Sequence, residues 1–384
     1  MAVHTSIVIA LICGLLGGAI GIAISRPVMT LMGNQGKLLE LSVRYTRIYF
    51  GALPFHSLSN YAIAIHRAKG DTRTPLMVLS ATGVLNVALN LFFVLVCGMS
   101  VQGVALATGI AAAVSAAVLY ANLARDKGAC HFSFKLLRFD KYEARKILLI
   151  GIPAGIQGAL FAISNMLIQS SIIAVNNSAF DPNAAYQPVV KGNAAAANLE
   201  GFAYTAVNAM QQAAVTFTSQ NVGAAKYGRV KRVMACCYGL GIAVGLTVTV
   251  ILVGLQEPLL ALYGVKDMGD ELSRAAVEAG KARILWTLLP YALIALMEVG
   301  SGTLRGLGKS LTSTCICMLF ACVLRVVWRF TIFNIDPASI TNSLASIYIS
   351  YPVSWVLAGL FLFLFSVLNL RRLIRTYRED HDEL

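Results

Sequence analysis

Ten apolar segments, each long enough to cross a bilayer as a helix, constrain the fold of this chain more than any other feature. The hydrocarbon core of a membrane needs about 20 apolar residues in helical form. The segments that meet this requirement are 5–32, 38–66, 74–97, 101–124, 147–176, 192–224, 233–256, 276–304, 310–334 and 345–370. The sequence therefore predicts an all-α polytopic membrane protein with ten transmembrane helices.

Composition agrees with this prediction and indicates the topology. The 384 residues are 57% hydrophobic and only 13% charged, with a mean hydropathy of +0.71. The net charge of +13 comes from basic residues in short segments between apolar runs, so we predict no nucleic-acid partner. Connections rich in Lys and Arg fall on every second turn of the chain, which predicts that they and both termini are cytoplasmic.

An internal duplication organises the chain. Two similar stretches end at Gly70 and at Gly308, at an offset of 238 residues. The pairs aligned at this offset are Arg67 with Arg305, Gly70 with Gly308, and Asn60 with Glu298. At offsets of 231 and 239 residues, the further aligned pairs are Pro27 with Pro258, Asn86 with Arg325, and Asn90 with Arg329.

The duplication predicts the domain organisation. Spans five and six, 147–224, have no counterpart in the first copy, so the repeated unit has six helices and the first copy lacks its opening two. An even number of helices per copy predicts two pseudo-symmetric lobes related by an axis along the membrane normal, a transporter architecture. The predicted parts are a truncated N-terminal lobe at 1–124, a cytoplasmic linker at 125–146 and a C-terminal lobe at 147–384.

Glu298 is the first candidate for a functional group, because it is a carboxylate within a membrane-length apolar run. Burial in a low dielectric favours its neutral form, so it could exchange a proton. The alternative is a fixed ion pair with an arginine of a neighbouring helix. On span six, four polar side chains form one helical stripe, which either lines a cavity or joins helices by hydrogen bonds; they are Glu200, Tyr204, Asn208 and Gln211.

Further polar and proline residues lie within the predicted spans. The predicted cavity-lining side chains are Gln157 and Asn165 of span five, Asn60 at the repeat position of Glu298, and Arg325 of span nine, which could meet a carboxylate or a substrate. The predicted hinges, which could equally be static kinks, are Pro54, Pro153 and Pro290.

Several chemistries are not supported by the sequence. It contains no Walker loop, no HExxH and no GxSxG, so neither nucleotide hydrolysis nor a hydrolase site is predicted. The eight cysteines lack paired CxxC spacing and predict neither disulfides nor a metal site. We therefore predict that the chain is not an enzyme, needs no cofactor and draws on an ion gradient if its transport is active.

Motifs spread over nearly the whole chain resemble the multidrug and toxic compound extrusion (MATE) transporters, within a larger group that includes lipid and polysaccharide flippases. The matching pieces are HRAKGDTRTP at 66–75, GVALATG at 103–109, GIPAGIQ at 151–157, LEGFAYTAVNAMQQA at 199–213, MEVGSGTLRGLGKS at 297–310 and LRVVW at 324–328. The resemblance implies a twelve-helix fold that exports cationic or amphipathic small molecules in exchange for H⁺ or Na⁺ by alternating access.

Two departures from the family pattern bear on coupling. Some members carry a coupling acid in the helix that begins with the G-x-P signature, but 147–178 contains none. Others use an acid in the first helix, which this chain lacks. The resemblance leaves Glu298 and Glu200 as ion-coupling candidates. We expect a monomer in a bacterial plasma membrane, with a flippase or a non-transporting remnant as the alternatives.

Overall fold

The computed structural model describes residues 2–31, 36–128, 130–181, 184, 186–336 and 339–382, without the side chains of Leu31, Leu38, Phe134 and 378–382. Within these ranges 87% of the residues are helical and no strand occurs, which confirms the predicted all-α class. The chain divides into two compact units, Met1–Leu148 (unit 1) and Leu149–Leu384 (unit 2).

Unit 1 is built from five long helices and the first turns of a sixth. The helices are α1 (Ala2–Leu31), α2 (Gly36–Gly51), α3 (Leu53–Ala68), α4 (Arg73–Leu91), α5 (Val101–Arg125) and the start of α6 (Lys141–Ala179). Helix α3 packs against α1 and α5, and α5 also packs against α2 and α4.

Among its described residues, unit 2 contains the rest of α6 and nine further α-helices. These are α7 (Pro188–Gly223), α8 (Tyr227–Gly254), α9 (Gln256–Leu262), α10 (Glu271–Arg283), α11 (Ile294–Gly306), α12 (Ser310–Cys317), α13 (Leu324–Thr331), α14 (Ile340–Tyr348) and α15 (Ser350–Asp382). Helix α7 lies at the centre, since it packs against α8, α10 and α11, and α11 in turn packs against α15.

Seven helices among the described residues are long and apolar enough to cross a membrane, or eight if the bent pair Glu271–Leu288 and Tyr291–Gly306 is counted as one span. Most of the described residues in each of the ten predicted segments are helical. Two of these segments account for the difference between the ten predicted spans and the eight found among the described residues. The segment 38–66 is divided between α2 and α3, and 192–224 lies in the long helix α7, which many amide and hydroxyl groups make less apolar.

The three predicted hinge prolines occupy different local structures. Pro54 lies in the first turn of α3, where a missing amide donor costs little. Pro290 separates two helical segments that meet at 40°, and the Thr249 hydroxyl donates to the Leu288 carbonyl at this break, at 2.8 Å. Helix α6 continues through Pro153. Hinge motion at these prolines stays a prediction.

The two stretches of the internal repeat end in the same Schellman motif. Gly70 has φ +90° and Gly308 has φ +75°, left-handed values that glycine adopts without strain. In the first copy the amides of Gly70 and Asp71 donate to the carbonyls of Arg67 and His66, both at 2.9 Å. In the second copy the equivalent bonds join Gly308 to Arg305 at 2.9 Å and Lys309 to Leu304 at 2.8 Å.

Small residues allow the helices of unit 2 to approach closely around α7. A Cβ atom added at Gly192 would collide with the carbonyl oxygen of Ala276 on α10, and one added at Gly302 would lie 2.6 Å from the Gln211 carbonyl oxygen. Gly302 and Gly306 form a GxxxG pair on the face of α11 that meets α7. Close backbone approach of this kind stabilises helix pairs in lipid, where burial of apolar side chains contributes little.

The contact at Gly192 yields a stability prediction. We expect Gly192→Ala to lower the free energy of unfolding by about 1–3 kcal/mol, because the new methyl group meets backbone atoms that cannot move independently. Gly239→Ala on α8 is the matched control: its Cβ meets nothing within 4 Å, so it should be neutral or stabilising by up to about 1 kcal/mol. Unfolding with SDS in mixed micelles measures both. Equal effects would contradict the close α7–α10 contact.

Candidate functional site

A cavity of about 670 Å³ lies within unit 2, between α6, α7, α10, α11, α13 and α15. This volume is typical of small-molecule sites, which span about 300–1,000 Å³. The wall is mainly apolar and aromatic, and its polar members are Asn165, Gln169, Glu200, Tyr204, Arg283, Glu298 and Arg325. The structure thus brings five of the predicted site residues together: Glu298, Glu200, Tyr204, Asn165 and Arg325.

Glu298 lies in the middle of α11 and is 5% exposed. Among the described residues, no hydrogen-bond donor and no cationic side chain is bonded to its carboxyl group. Arg305 is the charged group whose field reaches it, but the Arg305 guanidinium donates to the Gln157 side-chain oxygen, at 2.9 Å, instead. A buried carboxyl group without partners is costly to keep ionised, so this position favours binding of a proton or a cation.

Glu200 has a different environment, because it forms an ion pair with Arg283. Nε and Nη2 of Arg283 both donate to Oε2 of Glu200, at 3.0 and 2.6 Å. The side chains are only 16% and 11% exposed. This pair is already neutral as a whole, so Glu200 has less need of an external cation than Glu298 has.

A hydrogen-bond network extends the pair across four helices. Arg283 Nη1 and the Tyr348 hydroxyl donate to the side-chain oxygen of Asn193, at 2.6 and 2.7 Å. The Asn193 amide in turn donates to Gln169 Oε1, at 3.0 Å. Because each member has defined partners, the network joins α6, α7, α10 and α14 around one side of the cavity.

Arg325 lies on the wall at the start of α13 and is 4% exposed. Its Nε and Nη2 donate to the Ser354 hydroxyl, at 3.0 and 2.8 Å. The guanidinium carbon lies 4.2 Å from the centre of the Tyr351 ring, a cation–π distance. Arg325 therefore has polar and aromatic neighbours, but its charge is not balanced by a bonded carboxylate anywhere in the described ranges.

Both cavity arginines lie next to π-helical turns. Arg283 is followed directly by the π-helical turn Ile284–Leu288, and Arg325 lies two residues beyond the turn Met318–Val323. A π-helical turn inserts an extra residue, which changes the direction in which later side chains point, and such turns occur often at functional sites.

Aromatic side chains complete the wall. Trp355 meets Tyr291 edge to face at 5.6 Å and Tyr351 at 5.9 Å. Such rings offer flat apolar surface with large contact area, which suits amphipathic ligands.

Four predicted site residues are not on this cavity wall. Asn208 donates to Gln211 at 2.9 Å and to the Tyr204 hydroxyl at 3.3 Å. Gln211 is buried where α7 meets Gly302. Gln157 accepts hydrogen bonds from Arg305 and Thr314. Asn60, on α3 of unit 1, is exposed.

Arg283 is the charged site residue that the sequence prediction missed. It lies inside the predicted span 276–304, the same apolar run that contains Glu298, so the rule that selected Glu298 also applies to it. No group of three or more metal-ligating side chains occurs within the ranges that the structure describes.

Comparisons with known proteins identify the family. The family model MatE matches residues 1–92 and 188–331. The probable multidrug resistance protein YoeA of Bacillus subtilis is 24% identical over 370 residues, which cover 94% of this chain and 75% of YoeA. The probable multidrug resistance protein NorM of Thermotoga maritima is 23% identical over 286 residues, covering 72% of this chain and 57% of NorM. The chain thus spans little more than half of some relatives that it matches.

Solved structures agree in fold. A multidrug resistance MATE family transporter of the MOP superfamily, in an outward-facing conformation, has a TM-score of 0.81 at 17% identity, covering 97% of this chain and 79% of that one. A MOP superfamily transporter from Pyrococcus furiosus, described as having a binding pocket of reversed polarity, has a TM-score of 0.83 at 17% identity, with the same coverage. Members of the MATE family are transporters rather than enzymes. Because the family model matches more than half of the sequence, this chain belongs to the MATE family of membrane transporters.

Proposed function

We propose that the chain exports amphipathic, cationic compounds by secondary antiport, with Glu298 as the ion-coupling residue. One observation carries the proposal: Glu298 is a buried carboxyl group on the wall of a small-molecule-sized cavity, without a bonded cationic partner among the described residues. Such a group can bind either H⁺ or Na⁺ or a substrate cation, and competition between them couples their movements.

Relatives support the substrate class of the proposal. YoeA and NorM carry names of multidrug resistance proteins, and the aromatic wall with Tyr291 and Trp355 suits amphipathic rings. Glu200 is a weaker coupling candidate than Glu298, because Arg283 already balances its charge. We also propose that the protein is a monomer in a bacterial plasma membrane, with two lobes and with both termini in the cytoplasm.

A flippase for an anionic, lipid-linked substrate is a second candidate. The burial of Arg325 on the cavity wall favours it. Arg283 adds no net positive charge, however, because it is paired with Glu200. The described wall of the cavity therefore has one charged group of each sign without a bonded counter-charge, which suits antiport better than recognition of a polyanion.

Transport in proteoliposomes tests the proposal. We expect the purified protein to drive ethidium across the membrane when an inward H⁺ or Na⁺ gradient is imposed, and to stop when an ionophore dissipates that gradient. Protein-free vesicles under the same gradients provide the control. Ethidium movement equal to that of protein-free vesicles under both gradients would overturn the antiport proposal.

A further inference from the structure

The cavity of unit 2 contains two charged groups of opposite sign that do not pair with each other. Glu298 and Arg325 both line the cavity, and no salt bridge within 4.0 Å joins either of them to any described residue. Ion pairing is the usual way for a protein to offset the cost of a buried charge. A ligand can supply both missing charges.

Arg325 has hydrogen-bonding capacity that its protein neighbours do not use. Two of its nitrogen atoms share one acceptor, the Ser354 hydroxyl, and Nη1 donates to none of the described residues. Arg283, in the same cavity, bonds a carboxylate and an amide through all three nitrogens. The two arginines therefore differ: every side-chain nitrogen of Arg283 donates a hydrogen bond to a protein group, whereas Arg325 keeps an unused donor.

The position of unit 1 that aligns with Arg325 is occupied by a neutral side chain. Asn86 aligns with Arg325 in the first copy, and its amide donates to the Thr108 hydroxyl at 3.3 Å. A neutral polar group bonded to a hydroxyl is sufficient there. The positive charge of Arg325 is an addition specific to unit 2, where the cavity lies.

We propose that Arg325 is an anion subsite of this cavity, and that cationic amphiphiles which also carry a carboxylate, that is zwitterions, are its preferred substrates. A ligand carboxylate accepts from Nη1 of Arg325, its aromatic body lies against Tyr351 and Trp355, and its cationic group lies nearer Glu298. This inference rests on the proposed function and adds a preference within its substrate class: among cationic compounds, those that also carry a carboxylate bind more tightly. Guanidinium groups bind carboxylates through strong, charge-assisted hydrogen bonds.

Two fluorescent dyes test the subsite as a matched pair. Rhodamine 110 is a zwitterion at pH 7.5, and rhodamine 123 is its methyl ester and a cation, so the two differ in the carboxylate alone. Their Kd values for the protein in nanodiscs are measured by fluorescence anisotropy. We expect the zwitterion to bind at least about tenfold more tightly than the ester, the size of one charged hydrogen bond.

Substitution at Arg325 should remove this preference. We expect Arg325→Gln to bring the ratio of the two Kd values to within about threefold of one, and Arg325→Lys to keep the preference in part, because it retains the charge. The ratio of the two Kd values is the readout, because a packing defect would weaken the binding of both dyes to the same extent and leave their ratio unchanged. Arg329→Gln is the matched control: Arg329 lies one turn further along α13, over the Phe333 ring at 4.6 Å, and is not on the cavity wall.

The outcomes separate the subsite from the proposed antiport. A wild-type protein that binds the ester as tightly as the zwitterion, or that binds neither dye, overturns the anion subsite, as does an unchanged ratio in Arg325→Gln. If the ratio depends on Arg325 but no gradient drives either dye across proteoliposomes, the subsite stands and the antiport fails.

Discussion

Glu298→Gln is expected to reduce gradient-driven export by at least about tenfold while the protein stays folded. The amide has nearly the shape of the carboxyl group, but it can neither carry a negative charge nor exchange a proton. Hydrogen bonds to charged groups contribute about 1.5–3 kcal/mol, and each 1.4 kcal/mol is a factor of ten in affinity. Loss of the charge therefore removes both the attraction for a cation and the means of coupling.

The pH dependence of transport provides a second readout. With H⁺ as the coupling ion, export by the wild-type protein should depend on the external pH, because Glu298 must gain and lose a proton in each cycle. In Glu298→Gln the remaining dye movement should be independent of pH. Efflux from proteoliposomes over a series of pH gradients measures both, and Glu298→Asp, which keeps a carboxyl group, should retain part of the coupling.

Glu278→Gln is the matched control for this substitution. Glu278 lies on α10, is exposed and does not line the cavity, so its loss should leave efflux and stability unchanged. The free energy of unfolding distinguishes a loss of coupling from a loss of folding. Glu298→Gln removes a buried carboxyl group that has no bonded partner among the described residues, so it should not lower the free energy of unfolding. Full, pH-dependent efflux in Glu298→Gln would exclude Glu298 from coupling.

The fold could be predicted largely because a bilayer restricts the possible structures. Spanning backbone must bond to itself as a helix, so apolar length alone located the helical segments. The repeat of Arg67–Gly70 at Arg305–Gly308 also has a direct structural counterpart in two identical helix ends. The interruption between α2 and α3 was harder to predict, since Pro54 lies in a helical first turn and the sequence does not show on which side of it the helix breaks.

The cavity could be predicted only in part. Helical periodicity shows which side chains share one face of a helix, but it does not show which other helix packs against that face. The stripe on α7 is continuous in sequence, yet Glu200 and Tyr204 line the cavity while Gln211 lies against α11. That change of neighbour depends on the glycine at 302, on another helix. The pairing of Glu200 with Arg283 joins residues 83 positions apart, a contact that no local pattern contains.

The four charged side chains of the cavity thus have two different functions in our interpretation. One pair, Glu200 and Arg283, is neutral and bonded within the protein, so it stabilises the wall. The other two, Glu298 and Arg325, lack bonded counter-charges in the described part of unit 2 and are available to ligands. Substitution of Glu200 or Arg283 should therefore lower stability, whereas substitution of Glu298 or Arg325 should impair transport or ligand binding.

The second large effect is expected from breaking the neutral pair. Either Glu200→Gln or Arg283→Met should lower the free energy of unfolding by about 3–5 kcal/mol, because each leaves one buried charge without its partner. The double substitution Glu200→Gln with Arg283→Met should recover most of this loss, since it removes both charges together. SDS unfolding of the four proteins in mixed micelles gives the coupling free energy of the pair by a double-mutant cycle.

A surface pair of the same kind is the control. Glu257 and Lys281 form an ion pair with side chains 72% and 39% exposed, so Glu257→Gln and Lys281→Met should each change the free energy of unfolding by less than about 1 kcal/mol. If Glu200 only stabilises the wall, the recovered double variant should also keep gradient-driven export, whereas a coupling role for Glu200 requires that export be lost in it. Additive losses in the double variant would contradict the pairing itself, because they would mean that Glu200 and Arg283 contribute independently.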